Sequence, residues 1–174
     1  LLYSQTKPVT SCAIWGLIER AKLRFHDAVA DYVPDFAKHG KGKMTLYHVL
    51  SHQAGCPDAN VTPAAWEDHE VMRQQVCDFT LEWEPGARVK YHSAAAHWIQ
   101  AMLIEAVTGQ DYRQYIRDHV TEPLGLQGVC VGVPEALYDL TVGAYERTAS
   151  GEHVALAERN APASPGCEGR ADSG

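Results

Sequence analysis

LLYSQTKPVTSCAIWGLIERAKL, residues 1–23, supports two readings of one segment. Val9, Cys12, Ala13, Leu17, Ile18 and Ala21 recur at helical spacing between Pro8 and Leu23, which predicts an amphipathic or largely buried helix. Ser4 and Lys7 stand at its head, three residues apart and so on one helix face, where a hydroxyl and an amine come within hydrogen-bonding reach. They are either a nucleophile with its base or polar residues at a frayed helix start.

Pro8 narrows the placement. It lacks the N–H that would bond to the Ser4 carbonyl, so Ser4 belongs to the first turn or the cap. Exposed backbone N–H groups at that end can stabilise an oxyanion. A lysine with an ordinary pKa near ~10.4 acts as a base only once neutral, and apolar burial together with a helix N-terminus both favour the amine. By itself Ser-x-x-Lys arises by chance roughly once or less in a chain of this length, so the motif needs support from elsewhere.

Composition sets outer bounds. At 174 residues, with 45% hydrophobic and 21% charged side chains, the chain has the make-up of one globular domain. A net charge of −7 without runs of Lys or Arg gives no footprint for nucleic acid. Five widely spaced cysteines, Cys12, Cys56, Cys77, Cys130 and Cys167, form no C-x-x-C pair and are odd in number, which argues for free thiols rather than a disulfide framework or a zinc site. No apolar stretch reaches the ~18 residues of a membrane span and no signal-peptide pattern is visible, so a cytoplasmic setting is the expectation.

Further along, HDAVADYVPDF reads as a packed irregular connection that ends in a flexible turn at HGKGK. Thr45 is placed to cap a short helix over residues 46–52, stopped by Gly55, and a third helix is expected over about 63–79. LEWEPGARVKYHS carries a Pro-Gly turn and reads as a loop or short extended segment. Ser93 can cap a strong helix over 94–107 closed by Thr108-Gly109, and Asp111 caps another through about Val120, halted by Pro123 and Gly125. From Leu126 periodicity fades, and NAPASPGCEGRADSG at the end reads as loop.

The order S-Q-T-K-P-V-T, a long apolar helix, RAKLRFHDAVADYVPDF, MTLYHVLSHQAG, LEWEPGARVKYHSAAAHWIQAMLIEAVTG and VTEPLGLQG resembles the serine β-lactamase-related family, which holds class C β-lactamases, DD-peptidases and esterases on one scaffold. The resemblance implies an α+β fold of which this chain, 1–174, is a single partial domain: a nucleophile helix at 4–24, a helical region at 25–125 and an irregular tail at 126–174. It implies that Ser4 is acylated, that Lys7 assists its deprotonation and that Tyr91, first residue of a Tyr-x-Ser motif, shuttles protons. Ser93, third in that motif where many relatives have Asn, would contact substrate. It donates one hydrogen bond but cannot span as an amide does, which brings the esterase branch nearer. A third motif, a Lys- or His-containing triad with Gly on a late strand, is not found in the sequence. His39-Gly40-Lys41-Gly42 and Val107-Thr108-Gly109 lie in the wrong places and read as a turn and a helix stop.

The implied function is acyl transfer to water through a covalent Ser4 ester. It requires no metal or organic cofactor, and an ester, a β-lactam or a D-amino-acid peptide is the small-molecule substrate. Turnover by residues 1–174 alone is not expected, and an inactive fragment or docking module on the same scaffold is the competing reading. His48 and His52, four apart in YHVLSH, have the spacing of two metal ligands but lack the Glu of H-E-x-x-H and a third ligand at a telling distance. Trp66, Trp83, Trp98, Tyr112 and Tyr115 read as core or cleft wall.

Overall fold

In a computed structural model, which describes residues 3–140 and 145–155, the organising element is helix α5, Ala95–Thr108. Every residue from Ala95 to Ile104 is buried, as a helix apolar on nearly all faces requires. Gly109 closes it in the left-handed conformation (φ 69°) and donates its N–H to Glu105 O. The other helices are α1 (Thr6–Glu19), α2 (Val29–Tyr32), α3 (Leu46–Leu50), α4 (His69–Cys77) and α6 (Tyr112–Ile116). Among the described residues the strands are β1 (Tyr145–Arg147) and β2 (His153–Ala155), an antiparallel pair with Glu146 opposite Val154.

Helix α1 lies against α5 through small and polar groups. Ala13, Ile14 and Leu17 are its buried apolar residues, while Thr10 Oγ1 bonds His97 Nδ1 at 3.2 Å and Ser11 Oγ donates to Gln100 Oε1 at 2.9 Å. Buried polar atoms are costly unless paired, so these two bonds fix the axial position of α1 on α5. Its outer side carries Cys12 and Trp15, both exposed, with Trp15 stacked on Phe25.

Several boundaries differ from the sequence expectation. Helix α1 stops at Glu19 rather than near Leu23: Arg20 caps it and Ala21 turns left-handed at φ 54°. Leu23 is nevertheless buried, so the apolar spacing outlasts the helix. The expected helix over about 63–79 is two pieces, a 3₁₀ turn at Pro63–Trp66 and α4, because the Asp68 carboxylate accepts from the N–H groups of Glu70 and Val71 and starts a new helix. At α5 the cap position falls on Ala94 rather than Ser93. Thr45 and Asp111 cap as expected, accepting from His48 N and from Arg113 N and Gln114 N respectively. After α6 the chain continues as a π-helical turn, Arg117–Thr121.

Gly55 does not stop α3, which ends at Leu50. At φ 88° it lies so close to the neighbouring loop that a β-carbon would meet Trp83 O at 2.3 Å. The turn around His39 and Gly40 is present, with both residues at positive φ, within a 3₁₀ segment Pro34–Lys43. Its Lys41 is not solvated. The side chain is fully buried and donates to the carbonyls of Lys38, Cys77 and Phe79, and burial lowers its pKa. Trp98, Tyr112 and Tyr115 are buried in the core, whereas Trp66 and Trp83 are half-buried. Cys12, Cys56, Cys77 and Cys130 are free thiols, and burial pushes Cys56 up to about 11. The expected loop at residues 160–174, with Cys167, lies outside the described residues.

Candidate active site

Ser4 sits in a 3₁₀ turn, Tyr3–Gln5, that leads directly into α1. Tyr3 before it is left-handed at φ 47°, an unfavourable conformation for a bulky residue that bends the chain immediately ahead of the hydroxyl. Pro8 is the third residue of α1, so its missing N–H falls where no intrahelical bond is made. This local geometry puts the Ser4 hydroxyl at the exposed end of the helix.

Three side chains meet there. Ser4 Oγ and Tyr91 Oη are 2.5 Å apart, and Lys7 Nζ donates to Ser4 Oγ at 3.5 Å. The Lys7 ammonium is also 5.1 Å from the centre of the Tyr91 ring. Partial burial pushes the Tyr91 phenol up, but hydrogen bonds from Lys7 and Ser4 and the charge of Lys7 outweigh it. Its pKa therefore lies below the usual 10.0. A phenol more acidic than usual, a hydroxyl within one short bond of it and a cation touching both form a proton-transfer set that can deprotonate Ser4 and later return the proton. Ser93 is exposed two residues beyond Tyr91, and its backbone N–H donates to Pro57 O at 3.3 Å.

The segment carrying Tyr91 has no regular secondary structure. It is tied to the loop after α3 by Lys90 N to His52 O, Ser93 N to Pro57 O and Glu82 N to Gly55 O. Two imidazoles complete the lacing. His92 N donates to His52 Nδ1 at 3.2 Å, and Cys56 N donates to His92 Nε2 at 3.2 Å. Sequence patterns gave no sign of this second layer, because it links residues about forty positions apart through side-chain nitrogens.

His48 and His52 do not share a helix face. His48 Nδ1 accepts from Thr45 N within the cap of α3, and His52 lies past the end of that helix with φ 58°. Three other side chains, His69, Glu105 and Asp111, bring ligand-type atoms within 4.8 Å of one another. Glu105 Oε1 accepts from His69 Nδ1 at 2.6 Å and from Tyr112 N, and Asp111 holds Arg113 and the N-terminus of α6, while His69 Nε2 is buried without a hydrogen-bond partner. The hydrogen bond to Glu105 outweighs burial and raises the His69 pKa. This cluster joins α4, α5 and α6, and no sequence motif announced it.

Comparison with known proteins bears on the family and the fold. The family model described as Beta-lactamase matches residues 1–173. The esterase/beta-lactamase LipL of Mycobacterium tuberculosis is 32% identical over 140 residues, covering 78% of this chain and 32% of LipL. Penicillin-binding protein 4* of Bacillus subtilis is 29% identical over 133 residues, covering 72% of this chain and 29% of its own length. A penicillin-binding protein homologue from Caulobacter crescentus has a crystal structure that superposes with a TM-score of 0.73 at 30% identity, over 84% of this chain and 40% of that one. The chain thus spans about a third of the length of these curated relatives. The family match runs from the first residue almost to the last, and the chain belongs to the beta-lactamase family.

Proposed function

We propose that this chain carries the nucleophile and proton-transfer residues of a serine hydrolase that works by acyl transfer. The carrying observation is the 2.5 Å contact of Ser4 Oγ with Tyr91 Oη, with Lys7 Nζ 3.5 Å from the same hydroxyl. Tyr91 as phenolate takes the Ser4 proton while Oγ attacks the substrate carbonyl carbon. The proton then passes from Tyr91 to the leaving group as its bond to that carbon breaks, leaving an ester on Ser4. Water activated by the same phenolate cleaves that ester and restores the hydroxyl. Lys7, shared between Ser4 and the Tyr91 ring, favours the phenolate over the phenol.

The substrate class is an ester, with a β-lactam or a D-amino-acid peptide as the other acyl donors suited to the same chemistry. Ser93 favours the ester, because a short hydroxyl offers one donor where an amide would bridge two substrate groups. The name of LipL, an esterase/beta-lactamase, spans two of these donors.

A fluorescent phosphonate tests the reading. In the intact gene product it should label Ser4 with saturable kinetics, Ser4→Ala should abolish labelling, and Tyr91→Phe should slow it by about 10² or more. Unchanged labelling in Ser4→Ala would end the proposal. A folded wild type that takes no label would favour the docking module instead.

A further inference from the structure

Tyr91 is half exposed, at 50%. The core does not hold its ring. Among the bonds that hold its segment, His52 makes one to each immediate neighbour of Tyr91: its carbonyl accepts from Lys90 N at 3.2 Å and its Nδ1 accepts from His92 N at 3.2 Å. The His52 ring packs on the Tyr91 ring with centroids 4.9 Å apart. To reach both N–H groups His52 adopts φ 58°, a left-handed conformation a non-glycine residue keeps only where surrounding contacts over-determine it.

We infer that His52 is a positioning residue for Tyr91, and that the clamp holds only while the His52 imidazole is neutral. This rests on the acyl-transfer reading for its consequence, though not for its geometry. An Nδ1 that accepts from a backbone N–H carries no proton, so the neutral ring holds its hydrogen on Nε2. Protonation would set N–H against N–H and break the bond on the C-terminal side of Tyr91.

The charges around the ring act in the same sense. Burial lowers the His52 pKa, and His92 and the Lys7 ammonium lower it further. Burial lowers the His92 pKa as well, while its Nδ1 bonds Lys90 O at 2.7 Å and its Nε2 accepts from Cys56 N. Glu82, Asp58 and Lys90 are the remaining charges on that side. A histidine lowered in this way favours the ordered clamp above its ordinary value of 6.5 and loosens it as the pH falls below that value. Acylation should therefore lose rate on the acid side in step with His52 protonation.

The test combines ¹³Cζ-tyrosine and imidazole NMR of the intact protein with phosphonate labelling of Ser4. His52→Ala should move the Tyr91 phenol up toward the ordinary ~10 and slow acylation about tenfold. His52→Asn tolerates φ 58° and offers Oδ1 in place of Nδ1, so it should restore the Tyr91 titration and acylate within about threefold of wild type. The part of the acid limb that tracks His52 should vanish in it. An unchanged Tyr91 titration in folded His52→Ala, or an Asn variant as impaired as Ala, overturns the inference. If His52→Ala does not fold, the Asn variant and a step in the wild-type Tyr91 ¹³Cζ shift that follows His52 protonation decide it, and absence of that step overturns the inference. Absence of label in wild type counts against acyl transfer, and the Tyr91 titration still decides the positioning role.

Discussion

Lys7 and Lys41 each hold an ammonium group 5.1 Å from an aromatic ring centre, Tyr91 for the first and Phe36 for the second. The partners beyond the ring separate them. Lys41 spends its hydrogens on three backbone carbonyls, none of which can exchange a proton. Lys7 faces a serine hydroxyl and a phenol that already bond each other. A buried cation among carbonyls is a strut between the 3₁₀ segment and the end of α4. On the acyl-transfer proposal the same cation beside a hydroxyl and a phenol takes part in the chemistry, so the environment decides and the residue type does not.

Exchanging the cations for isosteric apolar groups should split stability from activity. Lys41→Met leaves the carbonyls of Lys38, Cys77 and Phe79 without their donor, at a cost of about 3 kcal/mol in chemical denaturation. Labelling of Ser4 in the fraction that stays folded should be unaltered. An equally stable Lys41→Met would break the contrast.

Lys7→Met is the converse. Half-buried at a helix end, Lys7 contributes little to folding, and its loss should leave the denaturation midpoint nearly unchanged. Acylation should slow by about 10²-fold, about 2.7 kcal/mol of transition-state stabilisation. A variant that labels at the wild-type rate would reduce Lys7 to a surface residue.

How far each lysine was legible in the sequence follows from the range of the interactions. Ser4 and Lys7 are three residues apart, and Pro8 fixes their turn, so local rules reach them. Thr45, Asp111 and Gly109 are likewise local, and each marks a helix end where expected. Tyr91 stands 87 positions from Ser4, and only family resemblance connects them. HGKGK has the composition of a solvated turn, and the burial of Lys41 depends on carbonyls of Cys77 and Phe79, 36 and 38 positions away. The end of α1 was misjudged for a different reason: Leu23 is apolar because it is buried after the turn at Ala21, and periodicity cannot distinguish that from another helical residue.

The contact of α1 with α5 sharpens the contrast on a smaller scale. Thr10→Val keeps the shape of the side chain but withdraws its bond to buried His97 Nδ1, which should cost about 1.5 kcal/mol. Because this bond seats the helix that bears Ser4 and Lys7, acylation should fall by a few fold with it, about 1 kcal/mol or less. A stability loss with no change in acylation would show that the catalytic corner does not depend on the seating of α1.

The smallest effect concerns an ion pair remote from Ser4. Glu105 raises the pKa of His69, through their 2.6 Å hydrogen bond first and its charge second, against the opposing effect of burial. A histidine raised by folding adds stability that is fully present below its ordinary 6.5 and is lost as the pH rises through the folded value. Glu105→Gln keeps an acceptor for Tyr112 N and for the Nδ1–H of neutral His69, and removes only the charge. Its cost should accordingly depend on pH, about 1 kcal/mol at pH 5.5 and shrinking toward zero once His69 is neutral in both proteins. His52 and His92 have the opposite sign, since folding lowers both, so acid weakens the clamp on Tyr91 while it strengthens the tie among α4, α5 and α6. Denaturation of wild type and Glu105→Gln between pH 5.5 and 9 separates the two contributions. A difference that grows with pH would reverse the assignment of charge to His69.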